Sequence, residues 1–392
     1  MQAEVRTFCE RLNIKFCEEL IPYYKKGKKR YDELGDFIFD KDRLIAYNKK
    51  YNIFRAYFEE VLQAADMVRA DRDLALHTYI LSCMIEDRAL LSILEIVNRD
   101  RMDTDYAPLY ALLYFLDDMI QDMEKRGVPM EIISDTLNGF ESEMNDYYDI
   151  YGRHGMRRYV GWFMLWIKKE ILRIGRLQYQ FKDMTDKLRV YRKGDDIRIL
   201  MDGEEMHPKG MVFGSAGQDQ VEEKYVAEIT ENGDEVTGYE VNWYGECVPQ
   251  KVTLKGYTEV LRTGAKILST HIISHEPFTQ DLLEKSYQQA IEVMKNCYPE
   301  YDYKAICCYS WMMEKRLRQI MGRDTNITLF ADKYHAFPLK SAGSGVYAFL
   351  YHLPAQVAPE EVPENNSMQR AVKKYLCDGN YFYEKGGLFL VD

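Results

Sequence analysis

Apolar residues recur at helical spacing over the first part of this chain and at alternate positions over much of the remainder. Val5, Phe8, Leu12 and Phe16 fall on one helical face, as do Leu90, Leu94 and Val97. Ala107-Pro108 opens a helix that runs to Lys125, with proline at a tolerated early position, and Gly127-Val-Pro129 breaks it. A further helix is predicted from Ile132 to Tyr148, and Gly152 to Gly155 makes a turn. The spacing of Phe163, Trp166, Ile167, Ile174, Leu177 and Phe181 then predicts a long helix from Met156 to about Phe181. On that helix Lys169, Arg173 and Arg176 would form a basic stripe at i, i+4, i+7.

After Phe181 the period changes to two, and turn signals crowd in at Lys193-Gly-Asp195, Asp202-Gly203, Asn232-Gly-Asp234 and Tyr244-Gly245. Such pairs supply the positive φ that hairpin turns need, so about 188–255 is expected to be antiparallel β. Next comes an apolar strand, Lys266 to Ile273, a short turn, a helix from Gln280 to Cys297, and a second β-type run from Lys304 to Trp311. Leu283, Tyr287, Ala290, Ile291 and Met294 lie on one face of that helix, Thr279 is placed as its N-cap, and Pro299 follows its end. Strand–helix–strand at this length predicts a crossover with the two strands parallel. Beyond lie a short helix around Glu314–Met321, a strand at Val346–Tyr351, a helix from Ser367 to about Leu376, and a last hairpin, Tyr381 to Val391, turning at Gly386-Gly387. The fold class is therefore α+β, an all-helical domain over 1–152 followed by a mixed α/β domain over 153–392.

The chain has 392 residues, enough for two or three domains. Its net charge of −11 leaves no surplus of Lys and Arg to replace condensed counterions, which argues against nucleic-acid binding. No apolar run reaches membrane-spanning length, and Val160 to Ile167 is followed by Lys168-Lys169. Met1-Gln-Ala-Glu-Val-Arg6 shows no basic segment leading into an apolar one, and the eight cysteines form no C-x-x-C pair. A cytoplasmic protein with reduced thiols, binding neither nucleic acid nor membrane, is the expectation.

Several groups could carry chemistry. His271 falls near the C-terminal end of the first crossover strand, where open α/β sheets place ligands, so it is a candidate general base toward an amine. A hydrogen-bonded core or rim histidine is the competing reading. His275 and Glu276 lack a third ligand at metal-site spacing. Of Cys307 and Cys308, one must face the core, and buried structural cysteine is the commoner outcome. The start of the Gln280 helix is a possible anion cradle, but Glu276 and Asp281 flank it. A carboxylate about 4 Å from a phosphate costs about 1 kcal/mol in water and about 4 at an effective dielectric of 20, so those side chains must turn away.

Arg126-Gly-Val-Pro-Met-Glu-Ile-Ile-Ser-Asp-Thr-Leu137, Ile171-Leu-Arg-Ile-Gly-Arg-Leu-Gln-Tyr179, His271-Ile272, Tyr309-Ser-Trp311, Asn326-Ile327 and Met368-Gln-Arg-Ala371 appear in that order. From about residue 5 to its end the chain resembles a family of bacterial acyltransferases with an all-helical N-acyltransferase N-terminal domain and a GNAT-like C-terminal domain. The resemblance implies acyl-CoA-dependent transfer, from acetyl-CoA or another acyl-CoA, to the amine of a small molecule or peptide. It also implies that the cofactor's pantetheine arm and pyrophosphate lie along Ile272, Ile273, Ser274, Phe278, Thr279 and Gln280. His271 would be the base, backbone N–H groups near Ile272 would polarise the thioester carbonyl, and Tyr309 or Tyr334 would protonate the leaving thiolate. The GNAT signature turn, Gln/Arg-x-x-Gly-x-Gly/Ala, is absent, since Ser274 to Phe278 contains no glycine and Pro277 removes one N–H donor. The alternative is a non-catalytic binding module that kept the fold and lost the cofactor turn.

Overall fold

The structure, a computed structural model, describes residues 1–87, 105–156, 162–217, 223–274, 276–353 and 356–391. The helical spacing of Leu90, Leu94 and Val97 and the side chain of His275 lie outside the described residues. The chain forms two compact units. The first comprises Met1–Gln178 with Ile272–Glu276 and Gln288–Tyr298, and the second comprises Tyr179–His271, Pro277–Tyr287 and Pro299–Asp392.

The first unit is helical around the Arg72–Glu86 helix, which is buried without interruption from Leu74 to Ile85. A helix apolar on all sides belongs at the centre of a bundle. Asp71 caps it, its side chain accepting from the N–H groups of Asp73 and Leu74. The Leu20–Leu34 helix crosses it at Gly27, where a Cβ would stand 2.6 Å from a side-chain carbon of Ile80. Two expected helices are each split: Ala107–Leu113 from Leu116–Lys125, and Met130–Leu137 from Gly139–Tyr151. The second break puts Gly139 under the ring of Trp166, where a Cβ would come within 2.6 Å.

The long helix expected from Met156 to Phe181 does not form. A single turn, Met164–Ile167, is followed by β1 (Ile171–Ile174) and β2 (Leu177–Asp183). Lys169 and Gly175 both take positive φ, 63° and 60°, which ends the helical turn and makes the hairpin between the strands. The basic stripe dissolves with the helix. Lys169 pairs with Asp118 at 3.1 Å, while Arg173 is a buried residue of β1.

The antiparallel section follows as β3 (Leu188–Lys193), β4 (Asp196–Met201), β5 (Glu204–Met206), β6 (Tyr225–Ala227), β7 (Thr230–Asn232), β8 (Glu235–Val241), β9 (Cys247–Lys255) and β10 (Thr258–Arg262). One sheet has the order β10-β3-β4-β8-β7, with β9 on β8, and β5 pairs with β6. Gly194, Gly203, Gly233 and Gly245 stand at positive φ at the connections, where the turn signals placed them.

A second sheet runs through β2, then β11 (Lys266–Ile272), β12 (Ala305–Ser310), β14 (Lys385–Leu390) and β13 (His335–Pro338), side by side in that spatial order. β11 and β12 are parallel, joined by the Gln280–Cys297 helix, as expected. Side-chain alternation gives this sheet two distinct faces. Ile267, Ala305, Cys307, Phe337 and Leu388 meet Leu188, Val190, Ile199 and Met201 of the antiparallel sheet in one core. On the opposite face Thr270, Tyr334, Phe389 and Tyr287 come together.

Two late expectations are corrected. Gly345–Leu350 is a helix and not a strand: Val346, Tyr347 and Tyr351 are buried at helical spacing, while Phe349 is 76% exposed. Gly386 and Gly387 do not turn a hairpin; they lie inside β14, paired with β12 on one side and β13 on the other. Here glycine serves close packing. A Cβ on Gly386 would come within 2.1 Å of the Phe337 ring, and one on Gly387 within 2.7 Å of Met313 Sδ and 2.9 Å of Tyr334 Cβ.

Candidate active site

The ladder between β11 and β12 runs from Ile267↔Ala305 to Thr270↔Cys308 and stops there. Both strands continue, β11 to Ile272 and β12 to Ser310, with β12 still paired to β14 through Tyr309↔Gly386 and Ser310↔Lys385. Parity puts His271 and Tyr309, the first residues past the ladder on this face, on the same side as Cys307. Both are half-buried.

His271 Nε2 stands 3.1 Å from the side-chain oxygen of Gln180 on β2. With the Gln180 oxygen as acceptor, this contact fits the tautomer that carries its hydrogen on Nε2. Burial pushes the imidazole down to about 4, with the nearby Lys182 cation adding to the fall. His271 is therefore neutral at physiological pH. Tyr309 donates its hydroxyl hydrogen to Asp186 Oδ2 at 2.7 Å, and Lys182 Nζ lies 4.3 Å from the centre of the Tyr309 ring. Burial holds the phenol far above its ordinary range, with Cys307 and Asp186 pushing the same way.

Tyr334 is on the other face. Its hydroxyl lies 2.8 Å from that of Tyr287 and 3.3 Å from Thr270 Oγ1, which donates to the Cys307 carbonyl at 2.9 Å. One hydrogen per hydroxyl orders the chain as Tyr287 to Tyr334 to Thr270 to the backbone. The structure thus puts His271 and Tyr309 on one face of the sheet and Tyr334 on the other. Cys307 and Cys308 are both buried, one on each face, and burial pushes the Cys308 thiol up to about 12. Neither offers a thiolate at neutral pH.

Within the first unit, the segment after β11 is held by arginine. Arg176 donates to the carbonyls of Ile273 at 2.9 Å and Glu276 at 3.3 Å, and Arg173 pairs with the Glu276 carboxylate at 2.6 Å. One of the two carboxylates flanking the expected anion cradle, Glu276, is thus engaged. Arg173 alone pairs with the carboxylate while Arg176 binds the backbone of the same residue, and Nε and Nη1 of Arg173 are buried without a hydrogen-bond partner among the described residues. Ile272 is half-buried, Ile273 buried and Ser274 exposed. In the second unit Phe278 packs edge-on against Phe330 at 5.2 Å, Thr279 accepts through its carbonyl from Leu283 N–H at 3.1 Å, and Gln280 donates to the Asn326 carbonyl at 2.9 Å. Among the described residues no cluster of ligands could hold a metal ion, and no helix is long and apolar enough to cross a membrane.

Gln180, Lys182 and Asp186 were not singled out in the sequence. The signal for the first two was parity: in Tyr179-Gln-Phe-Lys182 polar and aromatic residues alternate, which as a strand puts Gln180 and Lys182 on one face.

Among solved structures, an acyltransferase variant in complex with octanoyl-CoA is 15% identical, with 99% of each chain covered and a TM-score of 0.61. An acyltransferase in complex with CoA and 10C-teicoplanin is 15% identical, covering 88% of this chain and 87% of that one at a TM-score of 0.57. An acyltransferase with decanoyl-CoA and teicoplanin is 16% identical over 84% of each chain, with a TM-score of 0.55. These identities establish likeness of fold. Comparison with curated protein sequences finds no match. The description GNAT-like C-terminal domain matches residues 171–389, and N-acyltransferase N-terminal domain matches residues 45–168. This chain belongs to the acyltransferase family built from those two domains.

Proposed function

We propose that the protein transfers an acyl group from an acyl-CoA to the amine of a small molecule or peptide. The observation that carries this reading is the parallel ladder that stops at Thr270↔Cys308, with His271 and Tyr309 projecting from one face just past it. Past the end of the ladder, backbone groups of β11 would receive a ligand's amide arm, and N–H groups near Ile272 would polarise the thioester carbonyl. The solved relatives are described as complexes with CoA, octanoyl-CoA and decanoyl-CoA, which supports the same donor class here.

The residues present fit such a donor. Within the first unit Arg173 pairs with Glu276 and keeps two buried nitrogens without a partner among the described residues, donors that suit a phosphate-bearing ligand. The neutral His271 would accept a proton at Nδ1 from the nitrogen that has attacked the carbonyl. Because its conjugate acid is strong, it would release that proton readily to the departing thiolate. Of the two tyrosines Tyr309 shares the face of His271, with its hydroxyl hydrogen given to Asp186, while Tyr334 is closed within its hydroxyl chain.

The second reading, a binding module without turnover, is favoured by the carbonyls of Ile273 and Glu276 being occupied by Arg176. Thermal-shift titration with CoA, acetyl-CoA, octanoyl-CoA and decanoyl-CoA separates the cases. A ligand at a hundred times its Kd stabilises by about 2.7 kcal/mol. Stabilisation by acyl-CoA with amine-dependent thiol release supports the transferase, stabilisation without release supports the module, and no stabilisation by any of the four sinks both.

A further inference from the structure

Asp186, in the connection between β2 and β3, is a carboxylate that the chemistry above leaves unused. An alkylamine with a pKa of about 10 arrives at neutral pH as an ammonium ion, so it must lose one proton before attack and a second after it. We propose that Asp186 is a positioning residue that turns Tyr309 into the acceptor of the first of these protons, an assignment that rests on the acyl-transfer function proposed above.

The geometry dictates the direction. Tyr309 commits its only hydrogen to Asp186 at 2.7 Å, so toward a ligand its oxygen presents lone pairs and accepts. A phenol held this way is badly oriented to protonate a thiolate and well oriented to receive an N–H. As the ammonium N–H bond breaks, a new O–H bond forms on Tyr309, the original O–H bond breaks, and its proton passes to the Asp186 carboxylate. One positive and one negative charge are thereby neutralised, and Asp186 later releases the proton to water. The freed nitrogen lone pair forms the C–N bond, the C–S bond breaks, and the second proton travels through His271 Nδ1 to sulfur.

The groups around this pair set its proton affinity. Lys182 from β2 lies over the Tyr309 ring, Cys307 from β12 and His271 from β11 share the face, and Glu204 comes from β5. Burial raises Asp186 above the ordinary carboxylate range, while the Tyr309 hydrogen bond and Lys182 pull it back and Glu204 adds to the rise. A raised carboxylate is a stronger base than one in water.

Asp186→Asn is the test, because asparagine keeps an oxygen for the Tyr309 hydroxyl but cannot take its proton. With octanoyl-CoA as donor and benzylamine and glycyl peptides as acceptors, thiol release is followed across pH. At neutral pH kcat/KM for the amine should fall by about 10²-fold, with KM for octanoyl-CoA unchanged. The deficit should shrink about tenfold for each pH unit toward the amine's own pKa, since a free amine needs no base. Tyr309→Phe, which removes the relay hydroxyl, should show the same pH-dependent deficit. An Asp186→Asn protein as active as the unaltered one, or impaired equally at every pH, overturns the assignment and leaves acyl transfer standing. No thiol release by the unaltered protein with any of these amines overturns both.

Discussion

Thr270 and His271 are neighbours in sequence and belong to opposite faces of one sheet. Behind Thr270 the hydroxyls of Tyr334 and Tyr287 close a chain that ends on the Cys307 carbonyl, and the rings of Phe330 and Phe389 pack around Tyr334. On the face of His271 are Gln180, which it touches, and Lys182, Tyr309 and Asp186, all half-buried. The same strands therefore carry a closed hydroxyl chain on one side and, on the side that packs against the antiparallel sheet, a half-buried group of titratable side chains. Fully satisfied polar networks rigidify a core, whereas partly buried groups with displaced pKa values are suited to proton transfer. A tyrosine's value to chemistry is decided by its face: Tyr309 and Tyr334 are both strongly shifted, yet only the first shares its face with His271.

The widest separation between the faces should come from His271→Gln. Loss of a positioned base typically costs about 10²–10⁴ in rate, while the stability at neutral pH should hold because glutamine retains the volume and a partner for Gln180. Acyl-transfer rates and a melting curve at neutral pH check this together. An unchanged rate with a lowered melting temperature would make His271 structural and erase the contrast.

The adjacent glycines of β14 sharpen it next. Gly386 lies under Phe337, whose ring meets Tyr309 edge-on at 6.1 Å, and Gly387 lies under Tyr334. Alanine at either position overpacks the sheet and should cost about 1–3 kcal/mol. Gly386→Ala should in addition lower the rate by displacing Phe337 toward Tyr309, and Gly387→Ala should leave the rate per folded molecule intact. Denaturant midpoints and single-turnover rates on both variants distinguish the faces one residue apart. Tyr334→Phe is gentler. It deprives the Tyr287 hydroxyl of its acceptor and should cost about 1 kcal/mol with no change in rate.

Legibility in the sequence followed the same division. The crossover was readable because its signals are local: an amphipathic helix from Gln280 to Cys297 between two apolar runs leaves few other packings. Glycines in Asn-Gly and Asp-Gly turns were readable for a similar reason. Gly175 and Gly386-Gly387 misled in opposite senses, the first a hairpin turn inside an apparent helix, the others flat packing surfaces inside an apparent hairpin. Close packing is a property of the partner, Phe337 or Met313, which is distant in sequence. Misreading Ile171 to Phe181 as helix hid Gln180 and its alternation with Lys182, because period-two parity is what assigns them to the face of His271. Asp186 had no signal of its own; it becomes meaningful through Tyr309, more than a hundred residues on.

A further expected effect, absent at neutral pH, is a pH dependence of stability that belongs to the face of His271. His271 has an ordinary value of 6.5 and is pushed down to about 4 in the folded protein, chiefly by burial. Between these values the unfolded chain binds a proton that the folded chain refuses, so folding stability rises with pH across this window. The stability present above pH 6.5 is therefore lost as pH falls through the window toward about 4, and nothing is lost above it. His271→Gln cannot titrate, so it should lack this component while keeping the acid sensitivity due to carboxylates elsewhere. Melting temperatures of the two proteins, matched at neutral pH, should diverge as the solution is acidified, with the variant the more stable. Parallel curves down to pH 4 would mean that His271 protonates in place, that water reaches it freely, and that the two faces of the sheet are less different than their hydrogen bonds indicate.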